Sequence, residues 1–300
     1  MTPLKRYRLT RYAPTPSGYL HLGNIASFVV TAGLAERFGS AILLRIDDLD
    51  RARFRREYLD DLFETLRYLG LPWHIGPADS DDFDRNFSQL NRLEQYTQHL
   101  DSLVSNNLVF ACACSRTQTG REGCSGNCRD AGIPLDKPGV AWRLTDLFRP
   151  GDQTVKLFGL NHSETTATIP PYLFPLQARR KNALPSYHLA SVSDDVRFGV
   201  DLVVRGADLY DSTLGQLVLA EALGLEAFGQ TAFFHHPLMT DPEGHKLSKT
   251  AGAVSVAALR REGAGRGAIY TRVLQLAGLS VEVSDRRECF EVLAEKWGIK

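Results

Sequence analysis

Residues 4–46 constrain this chain more than any other stretch. Positions 4–12 carry a strand pattern, Ala13-Pro-Thr-Pro-Ser-Gly18 breaks it with two prolines and a glycine, and apolar residues then recur at helical spacing over 25–38. Gly39 ends that run and 41–46 reads as a buried strand. Strand, loop, helix and strand in that order form the unit from which parallel sheets are built, since parallel strands need a crossover between them. At 300 residues the chain has room for about two domains and a cleft. Apolar residues at 43% and charged residues at 23% exclude wholesale disorder.

The alternation continues. Helical spacing covers 55–69 and 91–103, whereas the region from 110 to 172 changes texture, with short strand-like pieces at 140–144 and 154–158. After it the rhythm resumes with a helix at 186–192, a strand at 201–204, a helix at 212–223 and a strand at 232–238. Helical patterns at 256–261, 268–277 and 287–297 close the chain. The expected organisation is an α/β, Rossmann-like domain in two halves, 1–109 and 173–250, split by an insert at 110–172 and followed by a helical segment at 251–300.

Lys plus Arg and Asp plus Glu total 35 each, so no overall field holds nucleic acid, and an RNA partner must meet a local patch. The first ten residues carry charges where a signal peptide needs an apolar stretch, and no run approaches the roughly 18 apolar residues of a membrane span. A cytoplasmic protein with no membrane partner is expected. Four of the five cysteines fall between Cys112 and Cys128, which suits a metal site better than a disulfide framework. The fifth, Cys289, lies in an apolar helical pattern and reads as a buried small hydrophobe. His235 and His236 read as polar residues at a strand end.

Two motifs can carry chemistry. The first is Arg11-Tyr-Ala-Pro-Thr-Pro-Ser-Gly-Tyr-Leu-His-Leu-Gly-Asn24, running from a strand into a helix. A helix N-terminus there favours a phosphate, Gly23 lets the backbone approach a nucleotide, and His21 can donate to an oxyanion. Without further context, His-x-Gly is equally a turn glycine beside a surface histidine. The second is Lys246-Leu-Ser-Lys-Thr250, preceded by Asp241-Pro-Glu-Gly-His245, a stretch of loop composition in which two lysines can converge on a polyphosphate. By itself it is equally a solvated basic loop.

Taken in order across a split α/β domain, the two motifs resemble the H-I-G-H and K-M-S-K-S signatures of class I aminoacyl-tRNA synthetases. Ala13-Pro-Thr-Pro-Ser-Gly18, Arg45-Ile-Asp-Asp48 and Val204-Arg-Gly-Ala-Asp208 resemble motifs of the glutamyl branch. The resemblance covers residues 8–250 and implies the class I catalytic fold. It further implies catalytic roles for His21, Lys246 and Lys249, and an ATP site of Pro14, His21, Gly23, Asn24, Lys246, Ser248 and Lys249, with Mg2+ accompanying ATP. An L-glutamate site would comprise Arg11, Ala13, Thr15, Asp47, Tyr187 and Arg205. The arginines suit carboxylates through forked bonds and Asp47 suits the ammonium. An Arg45–Asp48 ion pair and a core tyrosine at 187 are the plainer readings. Two positions depart from the family: Asp47 stands where Glu is usual, one methylene shorter, and Asn24 replaces the second His.

Cys112-Ala-Cys114, nine residues to Cys124 and three more to Cys128 offer four thiolates. Such a set suits tetrahedral Zn2+ in a structural site, with free thiols or a redox pair as the alternatives. Gly120, Gly123 and Gly126 suit the turns of a knuckle. A knuckle in this place resembles that of the glutamyl-queuosine tRNA(Asp) synthetases, in many of which tyrosine stands where Cys124 is found here. Members of that group activate glutamate without tRNA and attach it to queuosine, the modified wobble base of tRNA(Asp). The fifty residues after the lysine loop are too few for anticodon-binding domains, so a chain of this kind, monomeric and without a DNA partner, is expected. The rival readings are a glutamyl-tRNA synthetase core charging the tRNA 3′ end, a nucleotidyltransferase making a small-molecule adenylate, and a non-catalytic zinc-containing RNA-binding paralogue.

Overall fold

The computed structural model describes residues 6–119, 124, 127–145, 154–238 and 255–299. In chain order the strands are β1 (Leu9–Tyr12), β2 (Ala41–Leu44), β3 (Val109–Cys112), β4 (Ala141–Leu144), β5 (Thr154–Phe158), β6 (Glu164–Thr168), β7 (Gln177–Arg179), β8 (Leu202–Gly206) and β9 (Ala232–His236). The longer helices are α1 (Leu22–Phe38), α2 (Arg56–Leu69), α3 (Leu93–Ser105), α4 (Tyr187–Phe198), α5 (Tyr210–Ala222), α6 (Val256–Arg261), α7 (Arg266–Leu276) and α8 (Arg286–Trp297). Among the described residues no helix is long and apolar enough to cross a membrane. The chain forms two compact units, one of residues 1–90, 201–208 and 233–300, the other of 91–200 and 209–232.

In the first unit β1 and β2 pair in parallel, Leu9 opposite Ala41 and Tyr12 opposite Leu44. β8 enters beside β1: the Asp201 amide donates to the Leu9 carbonyl at 3.0 Å, and the Asp201 carboxylate accepts from the Arg8 and Leu9 amides at 2.9 Å. β9 is the neighbour of β8. α1 is the centre of this unit, apolar nearly all round, with Ile25, Ala26, Val29, Val30, Ala32 and Leu34 fully buried. A helix apolar on every side needs cover on every side. β1 and β8 supply it on one side and α7 and α8 on another. Gly33 makes the close approach to α8 possible, since a Cβ there would fall 2.0 Å from the Phe290 ring. The contact is reinforced at the surface, where Glu36 pairs with Arg286 and Arg287 and is held well below the usual carboxylate range, first by the Arg286 hydrogen bond.

In the second unit β3, β4 and β7 form an antiparallel sheet, Cys112 opposite Ala141 and Trp142 opposite Arg179. β5 and β6 pair antiparallel from Thr154 and Thr168 to Phe158 and Glu164. α4 packs on α5, capped by Ser186, whose hydroxyl accepts from the Leu189 amide at 3.2 Å. A buried ion pair pins α3 to α4: Arg92 donates to both Asp194 oxygens at 2.8 and 2.9 Å, and the Tyr96 hydroxyl donates to the same carboxylate at 2.7 Å. Breaking such a pair from one side leaves a buried charge, at about 3–5 kcal/mol.

Candidate functional site

The carboxyl ends of β1 and β2 open side by side, where ligands of parallel α/β sheets are held. Their loops continue the pairing beyond the strands: the Arg45 amide donates to the Tyr12 carbonyl at 3.0 Å and the Asp47 amide to the Pro14 carbonyl at 2.9 Å. Ala13, Pro14 and Thr15 therefore run against Arg45-Ile-Asp47, with Thr15 exposed.

His21 is the N-cap of α1. Its Nδ1 accepts the Gly23 amide at 3.1 Å, while the Asn24 Oδ1 accepts the His21 amide at 3.0 Å, so the two side chains close a reciprocal capping box. An Nδ1 that accepts a hydrogen bond belongs to the neutral ring, and its proton is then on Nε2. The cap thus places an Nε2–H donor of His21 at a helix N-terminus. Gly23 eases this packing, because a Cβ at that position would lie 3.1 Å from the His21 ring atoms Cε1 and Nδ1, close enough that the ring would have to give by a few tenths of an ångström.

Arg11 and Arg205 lie on adjoining strands, β1 and β8, each 4% exposed. Arg11 Nη1 donates to the Val204 carbonyl at 3.2 Å, and the Arg205 guanidinium lies 5.5 Å over the Phe233 ring of β9. His235 stacks parallel to Phe233, ring centres 6.3 Å apart. Its imidazole is pushed down to about 4, by burial first and then by the charges of Arg205, His236 and Arg11. Two guanidiniums and one imidazole of lowered proton affinity gather here, a set whose chemistry suits carboxylate groups.

Asp47 is buried and bound in a fork, accepting from Arg45 Nε at 2.8 Å and Nη2 at 3.0 Å, with Gln89 Nε2 at 3.4 Å. The pairing of Arg45 is therefore with Asp47. Asp48 is held separately by the Ser88 hydroxyl at 2.7 Å, the Gln89 amide at 2.8 Å and Arg51 at 2.9 Å. Tyr187 is the first residue of α4 in the second unit and is 43% exposed, which excludes a place in the core. Lys246, Ser248 and Lys249 lie outside the described residues. Ser255, which follows that stretch, forms an antiparallel bridge with His21.

The four thiols gather in the second unit. Cys112 ends β3 and Cys114, two residues on, follows the strand's alternation onto the same side, while Cys128 comes from the helical turn Asn127–Asp130. All four sulfurs lie within 4.8 Å of one another, with Cys114–Cys124 at 3.8 Å and Cys114–Cys128 at 3.4 Å, and none is in a disulfide. Tetrahedral zinc with Zn–S bonds of about 2.3 Å separates its sulfurs by about 3.8 Å, so the cluster fits that ion. Proton affinities agree: the Cys128 thiol and then burial push Cys114 up to about 12, whereas at Cys128 burial is outweighed by the Ala113 amide and the neighbouring thiols, bringing it to about 7. A divalent cation would let all four bind as thiolates. Phe110 and Arg129 cover the cluster, the guanidinium 5.3 Å over the ring.

The family model for tRNA synthetases class I (E and Q), catalytic domain, matches residues 9–123 and 170–294. The chain belongs to this family. Among its relatives, the glutamyl-Q tRNA(Asp) synthetase of Symbiobacterium thermophilum is 35% identical, the match covering 90% of this chain and 86% of that one. The protein of the same name from Methylococcus capsulatus is 38% identical over 81% and 76% of the two chains. Glutamate–tRNA ligase 2 of Gluconacetobacter diazotrophicus is 32% identical over 89% of this chain and 60% of its own length. Among solved structures, the glutamate-tRNA synthetase of Elizabethkingia anophelis shares the fold at a TM-score of 0.72 and 20% identity, matching 95% of this chain and 65% of that one.

Within this family fold the structure brings Arg11, Ala13, Pro14, Thr15, His21, Gly23, Asn24, Asp47 and Arg205 into the first unit. Three contributors escape the sequence reading. Ser88 and Gln89 carry no motif, and only the partners of Asp47 and Asp48 give them meaning. His235 does carry a signal, a histidine at the carboxyl end of a strand, the position from which a parallel sheet presents its ligands.

Proposed function

We propose that this chain activates glutamate with ATP in the absence of tRNA and transfers it to queuosine at the wobble position of tRNA(Asp). The observation that carries the reading is the pairing, within one unit, of a buried two-arginine pocket with a helix N-terminus capped by a donor histidine. Glutamate brings two carboxylates, and Arg11 and Arg205 can fork onto them while His235 adds no charge that would vary with pH near neutrality. Asp47 takes the ammonium with Arg45 sharing its charge.

In the first step the α-carboxylate attacks the α-phosphorus of ATP. The His21 Nε2–H, its Nδ1 engaged by the Gly23 amide, donates to the charge that builds there; Lys246 and Lys249 would add positive charge, and Mg2+ bound with the nucleotide would supply electrostatic stabilisation. Pyrophosphate leaves. In the second step a hydroxyl of the queuosine cyclopentenediol attacks the glutamyl carbonyl and AMP leaves; an anticodon loop presents unstacked bases suited to such a grip. Cys112, Cys114, Cys124 and Cys128 would hold a structural Zn2+ in the second unit. The names of the Symbiobacterium and Methylococcus relatives support the acceptor.

Exchange of labelled pyrophosphate into ATP tests the first step. Exchange that needs glutamate and no tRNA is expected. Exchange that appears only when tRNA is added would favour a glutamyl-tRNA synthetase core, and exchange with no amino acid at all would contradict the reading.

A further inference from the structure

His236 ends β9 with its side chain turned from the arginine pocket, since neighbouring strand residues face opposite sides. It is 3% exposed and lies flat on Trp297 of α8, ring centres 5.5 Å apart and planes 9° from parallel. Its Nδ1 is 2.9 Å from the Pro237 carbonyl, which can only accept, so the ring proton is on Nδ1. Nε2 then has only a lone pair, and it accepts the Ser27 hydroxyl of α1 at 2.6 Å. Burial disfavours the imidazolium, which keeps that acceptor in place at neutral pH.

The two ends of this bond belong to different halves of the chemistry. Ser27 is six residues into the helix whose N-cap is His21, and His236 follows His235, which sits with Arg205 and Arg11. Apolar packing alone tolerates small sliding of a helix along a sheet, whereas a short hydrogen bond fixes the register. We propose that His236 is a positioning residue for adenylate formation, locking the helix that presents His21 to the strand that presents the carboxylate pocket through Ser27. The inference rests on the proposed function. Loosening the lock leaves each half able to hold its own ligand but misaligns the attacking oxygen and the phosphorus, and a displacement of about 1 Å can cost about a hundredfold in rate.

The test is glutamate-dependent pyrophosphate exchange by the full chain and its Ser27→Ala, His236→Leu and His236→Gln variants, and by the Ser27→Ala/His236→Leu double variant. Ser27→Ala removes one hydroxyl and should fold whatever becomes of His236→Leu. The expected result is a kcat lowered by about tenfold or more in Ser27→Ala and His236→Leu, with both KM values within about twofold of the parent. The double variant should be no worse than His236→Leu, and His236→Gln, whose Oε1 can still accept from Ser27, should recover part of the rate. Raised KM values with parental kcat, multiplying effects, or parental kcat in Ser27→Ala would overturn the assignment. A parent chain without glutamate-dependent exchange removes the functional reading and this inference with it; an active parent alongside an unaffected Ser27→Ala removes the inference alone.

Discussion

The arginine crevice of the first unit and the thiol cluster of the second are assembled in opposite ways. Arg11, Arg205 and His235 come from three strands spread over more than two hundred positions, and only the sheet brings them together. The four cysteines fall within residues 112–128, and a strand end and one helical turn place them. The crevice holds its charges through fixed partners, Arg45 against Asp47 and a neutral His235 beside two guanidiniums. The thiol cluster gathers four sulfurs at the spacing a tetrahedral ion takes. On the proposed function, the long-range site would govern chemistry and the local site the stability of its unit.

That contrast makes the two sites separable by substitution. Arg205→Ala should lower glutamate activation by about 10³-fold, the equivalent of about 4 kcal/mol for a lost buried charge-assisted fork, without altering metal content. Steady-state exchange kinetics and metal analysis on one preparation check both halves, and zinc loss in this variant would break the separation. Cys112→Ser should reduce bound zinc from one per chain to none and lower the melting temperature by about 10 °C, the effect of several kcal/mol on a domain of this size. Glutamate binding by the first unit should persist below that transition. Chelation of the parent chain should reproduce the shift.

Gly23→Ala sharpens the comparison within the crevice. The added methyl crowds the His21 ring and weakens the cap, which should cost about 1 kcal/mol of stability and about tenfold in kcat. A variant with parental kcat would show that the cap does not serve the reaction. The smallest effect concerns pH. His235 is held at about 4 in the folded chain, while the unfolded chain takes up its proton near the ordinary value of about 6.5. Folding stability due to this group is therefore intact above 6.5 and falls as pH drops from 6.5 toward 4. Denaturation midpoints of His235→Gln should fall less steeply over that window than those of the parent.

Much of the fold is legible in the sequence because helices carry their own instructions. The helix read at 256–261 is Val256–Arg261, and that read at 287–297 is Arg286–Trp297, opened by Asp285, which caps the Arg287 and Glu288 amides. The helix read at 186–192 continues to Phe198, with Ser186 as its cap, because polar Ser193, Asp194 and Asp195 are buried by partners the periodicity does not reveal. Strands depend on neighbours: among the described residues of the pattern over 4–12, the strand is Leu9–Tyr12, the length that β2 pairs with. The change of texture at 110 and 172 falls inside the second compact unit. His21 and Gly23 are legible as a motif, while the reason for their spacing is a contact that only coordinates show. Ser88, Gln89 and the Ser27–His236 bond arise from tertiary packing and leave no trace in spacing or composition.

The central claim is tested most directly by supplying labelled glutamate and ATP with tRNA(Asp) carrying queuosine, and with the same tRNA carrying guanosine at that position, and then locating the label. The account predicts label on the queuosine-containing tRNA alone, retained after the 3′ adenosine is removed. Label at the 3′ end of either tRNA, or no label on the modified one, would contradict it.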